Sequence, residues 1–228
     1  YSAPQKDTNA PANNLPDWGG LWQWDPRGGG KAEPLPFRSK YAAIAKAYKD
    51  AEARGDIQDK PSANCVPPGM PGNMYSPYPI EFLFTPGKVT VLIELYSQWR
   101  QIFTDGRNHP EDPDLTFSGH SIAHWEDDTL VVDSVGFIPD TPMWQSYGTK
   151  HSDKMHIVER IHLKEPDKLE IELTIHDPVT LTKSWTSKHS FDRQRDWTLT
   201  EYVCQQNNRN FVTEDGKAGV NLDFKGEK

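Results

Sequence analysis

Residues Trp99–Phe137, WRQIFTDGRNHPEDPDLTFSGHSIAHWEDDTLVVDSVGF, hold the densest chemistry in the chain and decide its fold class. In an extended Trp99–Thr104, Trp99, Gln101 and Phe103 share one side, and Arg100, Ile102 and Thr104 the other. Asp105-Gly106 is a turn signal, because glycine takes positive φ at little cost. In an extended Gly119–Trp125, His120, Ile122 and His124 share a face. Asp127-Asp128 then turns the chain into a further strand over Thr129–Val135. The stretch thus reads strand, loop, strand, tight turn, strand. Its histidines (His109, His120, His124) and its arginines (Arg100, Arg107) lie among those turns with Trp99, Phe103, Phe117 and Trp125 around them.

Working outward, Glu81–Phe84 and Val89–Leu95 flank the hairpin signal Thr85-Pro86-Gly87-Lys88. Met155–Leu163 and Leu169–Ile175 alternate around Glu165-Pro166-Asp167-Lys168, and Thr182–Phe191 and Trp197–Cys204 follow. Ser39–Ala53 reads as the one helix, with Ser39 as its cap and Tyr41, Ile44 and Tyr48 as its apolar stripe; Gly55 stops it. Residues 1–38 read as an arm. Within it, Asp17–Trp24 carries three tryptophans in seven residues and is expected to close one end of the core. Residues 211–228 read as an exposed tail. The expectation is an all-β, antiparallel up-and-down barrel of about eight to ten strands over 39–210, flanked by a helix at 39–55.

The 228 residues suit one domain with a long arm, and the net charge of −8, without a Lys/Arg cluster, argues against a nucleic-acid partner. No apolar run reaches the roughly 18–20 residues of a membrane-spanning helix. The opening YSAPQKDTNAPANN has the look of the end of a processed export signal, so a periplasmic or extracellular location is expected. Export in turn favours a disulfide between the two cysteines, Cys65 and Cys204, with two buried free thiols as the alternative. No P-loop, GxSxG, HExxH or CxxC motif occurs. Oligomeric state is not legible.

Several motifs together carry a family resemblance: CVPPGMP at 65–71, PYPIEFLFTPGKV at 77–89, RQIFTDGR at 100–107, GHSIxxWExDTLVVDxxGF at 119–137, HSDxxHxVER at 151–160 and EYVCxxNN at 201–208. Over about residues 15–210 the chain resembles a largely uncharacterised family of exported bacterial proteins with a lipocalin-like (calycin-like) barrel. The resemblance implies the barrel and carries no reaction with it. Members often have Arg in place of His124 and often lack His109 or His156, so these three are either specialisations or incidental.

The residue types point to acid/base chemistry. Neutral histidine is a general base near pH 7, and two can divide acid and base roles. His120 and His151 are the candidate pair, with Asp105 to orient and Arg107 to stabilise a developing anion. Arg100, Arg160, His156, Tyr78, Trp99, Trp125 and Trp144 are candidates for binding substrate. If every seam of the barrel is antiparallel, the loops 104–118 and 138–154 share one rim, and a site in the barrel mouth follows. Arg160 is expected to face the lumen with His156, and Glu159 to face away. The expected function is an enzyme without an organic cofactor (a lyase, isomerase, cyclase or hydrolase) acting on a small, largely apolar, aromatic or terpenoid-like molecule. A non-catalytic small-molecule-binding barrel and a histidine-ligated metal enzyme are the alternatives. Aromatic core packing and turn capping by Asp105 are the structural readings of the same residues.

Overall fold

The structure, a computed structural model, describes residues 17–54, 65–143 and 148–204, and the backbone of 210–212 and 218–220. Nine strands close a barrel: β1 (Leu21–Asp25), β2 (Ile80–Thr85), β3 (Lys88–Ile93), β4 (Gln98–Phe103), β5 (His120–Glu126), β6 (Thr129–Val135), β7 (His156–Glu165), β8 (Lys168–His176) and β9 (Trp185–Gln194). A helix, α1 (Ser39–Ala53), follows β1. Within the segment read as a tail, β10 (Asn210–Val212) and β11 (Ala218–Val220) pair with each other.

The barrel departs from a simple meander at one seam. Eight of its nine seams are antiparallel. β4 and β5 run parallel, with Ile102 opposite Ser121 and Phe103 opposite Ile122. A parallel pair cannot be joined by a hairpin; it needs a crossover of about a dozen residues or more. Residues 104–119 are that crossover. They leave the end of β4 and return outside the sheet, so 104–118 is a crossover and not a rim loop; its last residues come back beside 136–138, where Thr116 bridges Phe137.

The ninth strand also comes from an unexpected place. Trp197–Cys204 forms no strand and Trp197 is 51% exposed. Leu21–Asp25 takes the position instead, bridging β9 and β2, so the arm drawn to residue 38 contains a barrel strand. Trp22 drives this: fully buried, it donates its indole N–H to the Trp18 carbonyl at 3.0 Å and lies under the Arg193 guanidinium at 4.6 Å. Arg193 also donates to the carbonyls of Gly19 and Pro166, each at 2.7 Å, and so ties the end shut. Trp18 packs edge-on against Phe82 and Trp125, which closes this end of the core as the tryptophan spacing suggested.

The inward face is mostly aliphatic: Val89, Val91 and Ile93 from β3, Leu130 and Val132 from β6, Ile157 and Ile161 from β7, and the Leu169, Ile171, Leu173, Ile175 series of β8. Each such burial contributes about 1.5–3 kcal/mol. One ion pair interrupts it. Arg100 and Glu159, both wholly buried, meet at 2.5 Å, while Arg100 also donates to Ser121 at 3.1 Å and Ser134 at 2.8 Å. Strand parity on β7 is therefore the reverse of the sequence expectation. Glu159 faces the lumen between Ile157 and Ile161, whereas Arg160 and His156 face out. Ile157 and Ile161, on either side of Glu159, set that parity, because two buried isoleucines outweigh one carboxylate that has a partner.

The helix covers less than its stripe suggested. None of its residues is buried, Ile44 is 39% exposed, and no side-chain cap is formed at its start, where Arg38 rather than Ser39 is the N-cap. It leans on the barrel's loops through Ala45 and Tyr48, close against Gly148. Cys65 and Cys204 are joined in a disulfide that spans 139 positions and fixes the segment before β2 to the chain after β9.

Two predictions follow from these tethers. Under denaturing, non-reducing conditions no thiol should react with an alkylating agent, and replacing both cysteines with alanine should lower the urea-derived stability by about 5 kcal/mol, the loop-closure value for so long a link. Arg100→Met alone should cost about 3–5 kcal/mol by stranding Glu159, whereas Arg100→Met with Glu159→Met should recover most of that loss; a double variant no more stable than the single would refute the pairing argument.

Candidate functional site

Outside the barrel, the alternation of β5, β6, β7 and β8 places His120, Asp133, His156 and His176 on one wall. The crossover lays His109 over them. His109 Nδ1 lies 2.8 Å from His120 Nδ1, and His109 Nε2 lies 3.0 Å from Asp133 Oδ1. The same carboxylate oxygen receives His156 Nε2 at 2.9 Å. His156 stacks on His176 at 5.4 Å, and His176 Nδ1 meets the Ser184 hydroxyl at 2.6 Å. The crossover is held there by its own backbone: Thr116 N–H donates to the Gly136 carbonyl, and Ile138 N–H to the Thr116 carbonyl, each at 3.0 Å.

The Asp133 bonds fix two of the tautomers, and a neutral His109 fixes the third. A carboxylate only accepts, so His109 and His156 both donate Nε2–H to Asp133. A neutral His109 then has a bare Nδ1, which accepts Nδ1–H from His120. His120 is left with a lone pair on Nε2, the condition for a general base. Charge is distributed to match. Burial, with help from His109 and Arg107, holds the His120 pKa below 6.5. The Asp133 hydrogen bond raises that of His156, while hydrogen bonds from His156 and then His109 lower that of Asp133. His176 is lowered by burial and by the His156 charge. Two histidines on one carboxylate chain are thus pushed to opposite sides of the ordinary value.

His120 also forms part of the wall of a groove of about 480 Å³ where β4 and β5 diverge. Gln98, Trp99, Gln101 and Phe103 line one side, and Thr116, Phe117, Ser118 and Gly119 the other. Phe103 stacks on His120 at 5.4 Å, and the Arg107 guanidinium covers the other part of that system, 3.8 Å from the Phe103 ring. Asp105 binds Arg107 Nε at 2.9 Å and Nη2 at 2.5 Å; the Arg107 bonds hold the Asp105 carboxyl below its usual range and raise Arg107 in turn.

The structure therefore brings Asp105, Arg107 and His120 together around Phe103, with Trp99, 59% exposed, at the groove. Asp105 orients Arg107; the histidine is oriented by His109. His156 joins the cluster through Asp133. The remaining candidates lie elsewhere. His151 is buried behind Phe137, donating Nδ1–H to the Ser152 carbonyl at 2.8 Å and taking the Thr141 hydroxyl at 2.6 Å, with burial lowering its pKa. Arg100 is in the core. Trp125 is stacked with Phe84 at 6.2 Å in the interior, and Tyr78 meets Tyr202 edge-on at 5.2 Å. Arg160 pairs with exposed Glu126 at 2.8 Å. Trp144 lies outside the described residues.

Two functional candidates had weak sequence signals. Asp133 is the lone charge in the apolar run Leu130–Val135, at an outward position of β6, which is a mark of a partnered carboxylate. His109 lies in an irregular loop, where no periodicity aims it. Among the described residues, no group of three or more His, Cys, Asp or Glu side chains is arranged to hold a metal ion.

The Asp133 linkage has a definite sign. A raised His156 pKa adds stability that is complete below pH 6.5 and disappears as pH rises through the folded value. Asp133→Asn should return the His156 titration, followed by NMR of its ring protons, toward 6.5, and should cost about 1 kcal/mol or less at pH 6 given the partial exposure of the pair. An unmoved His156 midpoint would refute the bond.

A scan against protein-family models finds none that matches the chain, and a search of curated proteins finds no match. The resemblance to an exported bacterial family thus rests on its motifs, and the chemistry of the wall on its geometry.

Proposed function

We propose that the chain is an enzyme that moves a proton on a small, largely apolar molecule, with His120 as the general base and no organic cofactor. The observation that carries this reading is the double position of His120. Its ring is in the wall of the aromatic groove, and it heads the His109–Asp133 chain that leaves its Nε2 unprotonated. When His120 takes a proton, its Nδ1–H stays on His109, and the Asp133 carboxylate stabilises the charge at the far side. Arg107, beside Phe103, supplies a cation for an oxyanion formed on the substrate. Trp99, Phe103 and Phe117 suit a planar aromatic or terpenoid-like body, and the Gln98 and Gln101 amides suit one polar substituent. The reaction classes that need only this are lyase, isomerase, cyclase and hydrolase steps.

Turnover of a panel of small aromatic and terpenoid-like esters, hydroxyketones and epoxides tests the proposal. His120→Ala should reduce the rate about 10²–10⁴-fold with thermal unfolding unchanged. The rate should rise with pH to a plateau whose midpoint lies below 6.5, because the base must be neutral and burial lowers its pKa. A ligand that binds in the groove, is never converted, and binds equally well to His120→Ala would replace the enzyme with a binding protein.

A further inference from the structure

The barrel interior carries a second polar centre that the outer wall does not use. Arg100 gives Nε to Ser121 and Nη2 to Ser134 and Glu159, while Nη1 of Arg100 and Oε1 of Glu159, both wholly buried, have no partner among the described side chains and backbone. They belong to the two residues of one ion pair on opposing strands, β4 and β7. Above them the segment before β2 enters the barrel. Its Tyr75 is buried and stacked on His189 at 3.8 Å, near enough for the Arg100 and Glu159 charges both to act on its phenol. Asn73 in the same segment is fully buried, with neither side-chain atom partnered.

Buried polar atoms without a partner are rare, because each gives up its hydration for nothing. The two free atoms at the ion pair define what satisfies them. A guanidinium nitrogen only donates and a carboxylate oxygen only accepts. A single partner for both atoms has to accept from Nη1 and donate to Oε1. Anions are repelled by Glu159 and cations by Arg100, so the partner is neutral. One hydroxyl oxygen meets all three conditions. We infer that the Arg100–Glu159 pair in the barrel core is a binding site for a neutral hydroxyl group, that of an ordered water or of a small alcohol, which bridges Arg100 Nη1 and Glu159 Oε1. This goes beyond the reading of His120 and does not depend on it.

Crystallography of the full chain tests it, on crystals grown and frozen without alcohols. The expected result is a density peak about 2.7–3.2 Å from both Nη1 and Oε1. A parallel set equilibrated with ethylene glycol separates the two sources: a peak that stays a single atom is water, and one that lengthens is the alcohol. In Arg100→Met/Glu159→Met the peak should be lost while the groove beside His120 keeps its shape. The inference is overturned if both atoms bond to protein groups with no peak between them, if two peaks each touch only one atom, or if the peak persists in the double variant. Should the double variant fail to fold, the wild-type density alone decides.

Discussion

The parallel seam between β4 and β5 is the constraint on which the rest of the outer wall depends. An antiparallel hairpin at that point would have placed residues 104–119 at one rim, away from the sheet face. A parallel pair obliges the chain to cross back outside the sheet before re-entering it. The path chosen runs along the outside, and it carries His109 onto the row formed by His120, Asp133 and His156. The seam also leaves β4 and β5 joined over only two residue pairs, and the groove opens where they part. One topological choice thus supplies the cleft and the residue that orients its base.

The wall of the barrel separates two kinds of polar chemistry. Inside, Arg100 and Glu159 neutralise each other in surroundings of isoleucine, leucine and valine, where an unpaired charge would be costly. Outside, the histidines have partial access to water and each other. There a proton can come and go, and the environment tunes where it rests. Burial lowers His120, and the Asp133 bond raises His156. Titratable neighbours pushed apart in this way are the arrangement by which acid and base roles are divided near neutral pH. His151 and His189 show the opposite case: both are buried, and burial lowers their pKa values, that of His189 to about 3.

Much of this was legible in the sequence for a simple reason. A strand has a period of two, and β2 to β9 show it in their side chains; Leu169, Ile171, Leu173 and Ile175 identify an inward face without any coordinates. The same holds for the hairpin turns at Pro86-Gly87 and Pro166-Asp167, for the helix over Ser39–Ala53, for the tryptophans that close one end, and for the Cys65–Cys204 link. The densest chemical stretch, Trp99–Phe137, does contain His120, Arg107 and Asp105, and they do meet.

Period alone does not say which of two faces is the lumen when both carry polar residues, nor which way a strand runs beside its neighbour. The expectation that Arg160 faces in and Glu159 out failed on the first point, and the expectation of antiparallel pairing at every seam failed on the second. Both depend on contacts between residues far apart in the chain: Arg100 with Glu159 across 59 positions, and Ile102 beside Ser121 in parallel. Sequence determined the helix, strands β2 to β9 and their alternation, because those are local properties of neighbouring residues, but not that Leu21–Asp25 rather than Trp197–Cys204 completes the barrel. Tertiary structure alone decided the direction of β5, the face of β7 and the place of His109, because each is set by how the whole barrel closes and by which buried charge finds its partner.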